Sequence, residues 1–180
     1  MAEAFLEDHR DCIFPWPTGR DLRNPNASPA GTDLVGFQTS HAEEPRFAFG
    51  EVKTSAQEEW PPSVMDGRHG LKAQLEALRD SARTKHDLVI YLGHHAVGAD
   101  WRGTYQAAAK RYLADEADVV LFGVMIRDVR PDDRDLRARA ASLAARRPPK
   151  MLVELRAFYL PAGSIESLGQ IASQALGGES

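Results

Sequence analysis

Asp33, Glu51 and Lys53 are two carboxylates and an ammonium that this chain can bring to one place. Glu51 and Lys53 stand at i and i+2 in the run Arg46-Phe47-Ala48-Phe49-Gly50-Glu51-Val52-Lys53, which reads as a strand. Side chains two apart on a strand leave the same face, so a carboxylate and an ammonium share one volume. Asp33 opens a preceding strand, Asp33-Leu34-Val35-Gly36-Phe37-Gln38, and a polar turn around His41 to Pro45 separates the two. If they pair antiparallel as a hairpin, Asp33 lies opposite the Glu51–Lys53 end. Two carboxylates with a backbone carbonyl between them form an oxygen donor set for a hard divalent ion such as Mg²⁺. Water on such an ion becomes an attacking hydroxide at neutral pH. A lysine beside it orients or deprotonates that water, or offsets charge on a phosphorane-like transition state. Phosphodiester hydrolysis uses all of these functions together. The bland alternative is a same-face ion pair on an exposed strand, worth at most about 1 kcal/mol. Phe47, Phe49 and Val52 argue instead for a buried strand, where charged groups need a reason to be present.

The elements that must position these residues follow from periodicity. An N-terminal helix over about 2–11 carries Ala2, Phe5 and Leu6 on one stripe. A breaker-rich loop from Pro15 to Gly31 follows, with a short strand expected near Ile13-Phe14. After the two strands, Leu71, Gln74, Leu75, Leu78 and Ala82 predict a helix over 68–83. Residues 87–97 are open between buried strand and helix, with Asp87 as a cap and Leu88, Tyr91, Leu92 and His95 favouring helix. Tyr105, Ala108, Ala109, Tyr112 and Leu113 give a further helix. Val119 to Ile126 is a continuous apolar run and reads as a central strand buried on both faces. Asp132 or Asp133 caps an Ala/Arg-rich helix that Pro148-Pro149 stops. Met151 to Leu160 is a last strand. Ser164 caps a final helix on Ile165, Leu168, Ala172 and Leu176, ended by Gly177-Gly178. The result is one α/β domain over 1–180 with a mixed sheet and no internal repeat.

Thr32-Asp33, then Glu51-Val52-Lys53 on the next strand, then a helix with Gln74, resembles the PD-(D/E)XK nuclease superfamily. The resemblance covers roughly residues 1–83. It implies a restriction-endonuclease-like mixed β-sheet flanked by helices, with an αβββαβ-type core. It also implies that Asp33 and Glu51 bind Mg²⁺ or Mn²⁺, that Lys53 is the catalytic base or electrostatic stabiliser, and that Gln74 organises the site. A helix-one acid, Glu3 or Glu7, would join the metal ligands, and Glu3 is taken as the candidate. Thr32 stands where the family pattern has proline, its least constant letter. The implied activity is hydrolysis of DNA, or of RNA, in bacterial anti-phage defence, restriction or repair. The alternative is a nuclease-like subunit that binds or assembles without cutting.

Composition sets the frame. The chain has 180 residues, 43% hydrophobic and 27% charged, which is ordinary globular usage. One cysteine, Cys12, excludes a disulfide framework and a cysteine-rich zinc module, and points to a reducing, cytoplasmic setting. The N-terminus is acidic where a signal peptide is basic, and no apolar stretch approaches a membrane span, so no membrane partner is expected. The net charge of −4 is uneven: residues 1–65 hold 11 acidic and 5 basic side chains, and 127–150 hold 8 basic and 4 acidic. The small size and overall acidity call for a homodimer or a larger partner to grip nucleic acid. His94-His95 point apart and lack a spaced partner, which disfavours a metal site. His69 is close enough to the site helix in sequence to meet a phosphate. Trp60 and Trp101, beside breakers, either stack on a base or anchor their loops. Arg134, Arg137, Arg139, Arg146 and Arg147 either contact phosphates or pair with Asp132, Asp133 and Asp135 on a solvated helix.

Overall fold

A computed structural model describes residues 1–15, 32–40, 43–168 and 170. Residues 16–31, 41–42, 169 and 171–180, on which most of the expected breaker-rich loop, part of the expected polar turn and the expected end of the last helix at Gly177-Gly178 fall, lie outside the described residues. The elements run α1 (Ala2–Arg10), β1 (Cys12–Ile13), β2 (Leu34–Ser40), β3 (Glu43–Ser55), α2 (Leu71–Asp80), α3 (Ala82–His95), α4 (Arg102–Ala114), β4 (Val120–Arg127), α5 (Arg134–Ala145) and β5 (Leu152–Tyr159). A short 3-10 turn, Ser63–Met65, precedes α2, and residues 164–168 are helical.

The strands form one mixed five-stranded sheet in the order β1-β2-β3-β4-β5. β1, β2 and β3 meander antiparallel, whereas β3, β4 and β5 run parallel. Parallel neighbours need crossovers, and α2 to α4 and then α5 supply them. All eight residues of β4 are buried, as a strand covered on both faces must be.

Strand alternation divides the core in two. Val35, Phe37, Phe47, Phe49, Leu121 and Met125 face the helices that follow β3, against Leu71, Leu75, Leu88 and Leu92. Leu34, Ala48, Val120, Phe122 and Val124 face the other way, against Ala2 and Leu6 of α1. Gly123 lets α2 sit close on the sheet: a Cβ there would fall 2.6 Å from Leu75 Cδ1 and 2.5 Å from Leu155 Cδ2.

The helix expected over 68–83 breaks in two. Ser81 ends α2 and its hydroxyl accepts from the Thr84 N–H at 3.1 Å, so it caps α3. Residues 87–95 are therefore the second part of α3, with Ala96 as its C-cap and Val97 in the turn beyond. Asp87 is mid-helix rather than a cap, because the ladder is already running when it is reached. At α5 the expected cap takes a different form: Asp132 Oδ1 accepts from the Arg134 N–H at 2.9 Å, while Asp133 makes no side-chain cap bond.

Candidate active site

The register Leu34↔Gly50 sets Asp33 beside Glu51 at the end of the β2–β3 ladder. Two bonds clamp that end. The Asp33 N–H donates to the Gly50 carbonyl at 3.0 Å, and the buried Thr32 hydroxyl donates to the same oxygen at 2.6 Å. Past this point the Asp33 side chain takes over from the backbone, and its Oδ2 accepts from the Val52 N–H at 2.8 Å. The carboxylate is thus pressed against β3 where Glu51 and Lys53 leave the sheet. By strand parity Asp33 shares a face with Val35 and Phe37, and Glu51 and Lys53 share one with Phe47 and Phe49. This is the face that α2 covers.

Glu51 is only 3% exposed. Its Oε1 accepts from Lys53 Nζ. The Gln74 amide satisfies its neighbours when its nitrogen faces Glu51, where it donates to Oε1 at 2.7 Å and to Oε2 at 2.6 Å. Burial pushes the Glu51 carboxyl up to about 7, and the adjacent Asp33 charge adds to this, while the Lys53 hydrogen bond pulls the other way. The Lys53 side chain is 21% exposed against 4% for Glu51, so the ammonium is the more solvent-facing member of that pair. A pair of exposed surface charges does not look like this.

Asp33, Glu51, Lys53 and Gln74 therefore come together. Glu3 stands apart from them: α1 lies on the opposite face of the sheet, through Ala2 and Leu6. Burial and then Glu7 raise the Glu3 carboxyl, the N-terminal amine lowers it, and neither Asp33 nor Glu51 acts on it. Glu7 is exposed on the same helix.

The other candidates separate clearly. His69 and His94 are exposed, and the His95 ring packs 4.7 Å from Tyr91. Among the described residues no group of three or more His, Cys, Asp or Glu is placed to hold a metal ion; the Asp33–Glu51 pair is a smaller set that would need backbone or water oxygens to complete it. Trp101 anchors its loop, 5.8 Å from Phe37, whereas Trp60 stays 42% exposed. Three of the arginines are paired with acids: Arg134 with Asp132, Arg137 with Asp133 and Arg139 with Asp66.

Asp135 departs from the solvated-helix reading. It is 1% exposed and takes Arg127 Nη1 on both oxygens at 2.7 Å. The Tyr159 hydroxyl also donates to Asp135 Oδ2 at 2.7 Å. The sequence signal for this network is an arginine closing an otherwise apolar strand. The role of Thr32 has a comparable signal, a hydroxyl residue immediately before the acid.

Comparison with protein-family models, with curated proteins and with solved structures finds no match for this chain.

Proposed function

We propose that this chain is a metal-dependent nuclease of the PD-(D/E)XK type that hydrolyses phosphodiester bonds, with DNA the favoured substrate. The observation that carries the reading is the meeting, on one buried face, of two adjacent carboxylates, the ammonium two residues on and the glutamine of the following helix. The element order agrees with the αβββαβ core that the resemblance implies: a helix, three antiparallel strands, a helical layer, then a strand parallel to the third.

The donor set fits a hard divalent cation. Burial first, and then the adjacent Asp33 charge, raise the proton affinity of Glu51, so a negative charge there lacks full compensation. A divalent cation bound there would offset that charge, acidify water and take up charge on the phosphodiester.

The chain's own residues do the rest. The Val52 N–H orients Asp33 through Oδ2, and Gln74 fixes the plane of the Glu51 carboxylate through both oxygens. Lys53 Nζ, anchored on Glu51 Oε1 and partly exposed, offers a positive charge that would favour the developing charge on an attacked phosphate. Gly123 allows the close helix–sheet approach that delivers Gln74.

The test is cleavage of plasmid and of single-stranded oligonucleotides in Mg²⁺, with EDTA as control. Activity that disappears in Lys53→Ala and Glu51→Ala supports the reading. Cleavage unchanged in both variants overturns the site. Binding without cleavage in the wild type supports the alternative of a non-cutting nucleic-acid-binding subunit.

A further inference from the structure

A concavity lies where β3, β4 and β5 end in register at Ser55, Arg127 and Tyr159. It is an open cleft of about 750 Å³ whose lining includes Trp60, Arg127, Asp128, Arg130, Asp132 and Arg134. The segment that leaves β3 beyond Lys53 leads directly to it and carries Trp60.

Trp60 is a large ring left 42% exposed, yet it is held from two directions. The Arg134 guanidinium carbon sits 4.8 Å from the ring centroid. Arg134 is itself fixed by Asp132, which accepts from its Nε at 2.9 and 3.0 Å. From the other side, buried Arg127 donates through Nη2 to the carbonyls of Gln57 and Glu59, which pins the chain just ahead of the ring. A core tryptophan is ordered by burial. This one is ordered by charges while much of its surface stays in solvent, and ordering an exposed side chain costs rotamer entropy with little apolar gain. An exposed ring with a charged neighbour on it suits a flat partner. Every nucleobase presents such a face, and stacking on it needs no particular sequence.

The charges of the cleft narrow the ligand further. Arg127 is committed to Asp135 and Arg134 to Asp132. Among the described residues Arg130 has no ion-pair partner. Glu58 and Asp128 share the lining and disfavour a broad polyanion grip, while Asp128 Oδ2 is already engaged by the Ile165 N–H at 3.1 Å. One ring and one uncommitted cation match one base and one phosphate.

We propose that this cleft is a stacking subsite for a single unpaired nucleotide of the strand that reaches Asp33, Glu51 and Lys53, with Trp60 as the platform and Arg130 as the phosphate contact; the assignment rests on the nuclease reading above. The probes are dye-labelled oligo(dT) and oligo(U), titrated by fluorescence anisotropy in EDTA with the full chain, Trp60→Ala, Trp60→Phe and Arg130→Ala. Trp60→Ala is expected to weaken binding of one or both oligonucleotides about tenfold, and Trp60→Phe to recover most of the loss. Arg130→Ala is expected to lower the slope of log affinity against log salt by about one.

Wild-type binding that Trp60→Ala leaves unchanged overturns the subsite. It does so without touching the nuclease reading if Lys53→Ala still abolishes cleavage. Binding that depends on Trp60 upholds the stacking platform; in a chain that does not cleave it overturns the nuclease reading, and where cleavage ignores Lys53 and Glu51 it overturns the assigned catalytic site. No binding of either oligonucleotide overturns the subsite, and cleavage in Mg²⁺ then decides the nuclease reading by itself. If Trp60→Ala fails to fold, the surface variant Arg130→Ala decides, and an unchanged salt slope overturns the proposal.

Discussion

Replacing Glu51 by glutamine should make the protein more stable at alkaline pH while removing its activity. The carboxyl is 3% exposed and its proton affinity rises from the ordinary 4.5 to about 7. Between those two values the folded chain keeps a proton that the unfolded chain releases. Stability therefore falls as pH rises through the window and stays low above it. At about 1.4 kcal/mol per pH unit the loss reaches about 3 kcal/mol, or about 6–12 °C in Tm for a chain of this size. Glu51→Gln keeps an oxygen for one donor and carries no charge, so its stability should lack this component. The assay is thermal unfolding of both proteins from pH 4.5 to 8.5 in EDTA. The wild type should lose Tm across the window, and the variant should stay flatter and melt higher at pH 8. Mg²⁺ at pH 8 should raise the wild-type Tm by mass action and leave the variant unmoved. A variant that follows the wild-type curve, or melts below it at pH 8, would refute the argument that an ionised Glu51 is strained in the folded chain.

Other substitutions probe the supports of the site. Gln74→Ala should lower cleavage about 10- to 100-fold with little change in Tm, because it frees the Glu51 carboxylate without opening the core; kinetics and melting of the same sample check this. Gly123→Ala inserts a methyl 2.6 Å from Leu75 and should cost about 1–3 kcal/mol while shifting α2 and its glutamine, so that activity falls by more than stability alone explains. Asp135→Asn leaves Arg127 buried without its counter-charge and should cost about 3–5 kcal/mol, read as a drop in denaturation midpoint.

The residues of the site were legible because strand parity turns spacing into geometry. Glu51 and Lys53 had to share a face, and a hairpin had to bring Asp33 to them; the structure realises both, with Leu34 opposite Gly50. The apolar run at 119–126 was equally transparent as a buried strand, shifted by one residue to Val120–Arg127. The helical layer was less so. Apolar residues continue at helical spacing through Ser81, and only the hydroxyl's bond to the Thr84 N–H shows that two helices meet there. The helix-one acid stayed open in the sequence because Glu3 and Glu7 are one turn apart; the fold puts their helix on the far side of the sheet. Charge counting failed at α5, where composition treats Asp135 as one more surface partner. An arginine closing an apolar strand signals that a buried partner is needed, but which acid of α5 supplies it depends on a contact between strand and helix. Trp60 shows the reverse case: the sequence marked a tryptophan beside prolines, and its exposure came from the chain path that Arg127 enforces.

The central claim is that Asp33 and Glu51 together hold a divalent cation next to Lys53. Anomalous diffraction from crystals soaked in Mn²⁺ tests it most directly. One strong peak is expected between the two carboxylates, lost in Glu51→Gln crystals grown the same way. A Mn²⁺ peak elsewhere on the chain, with none between Asp33 and Glu51, would contradict it.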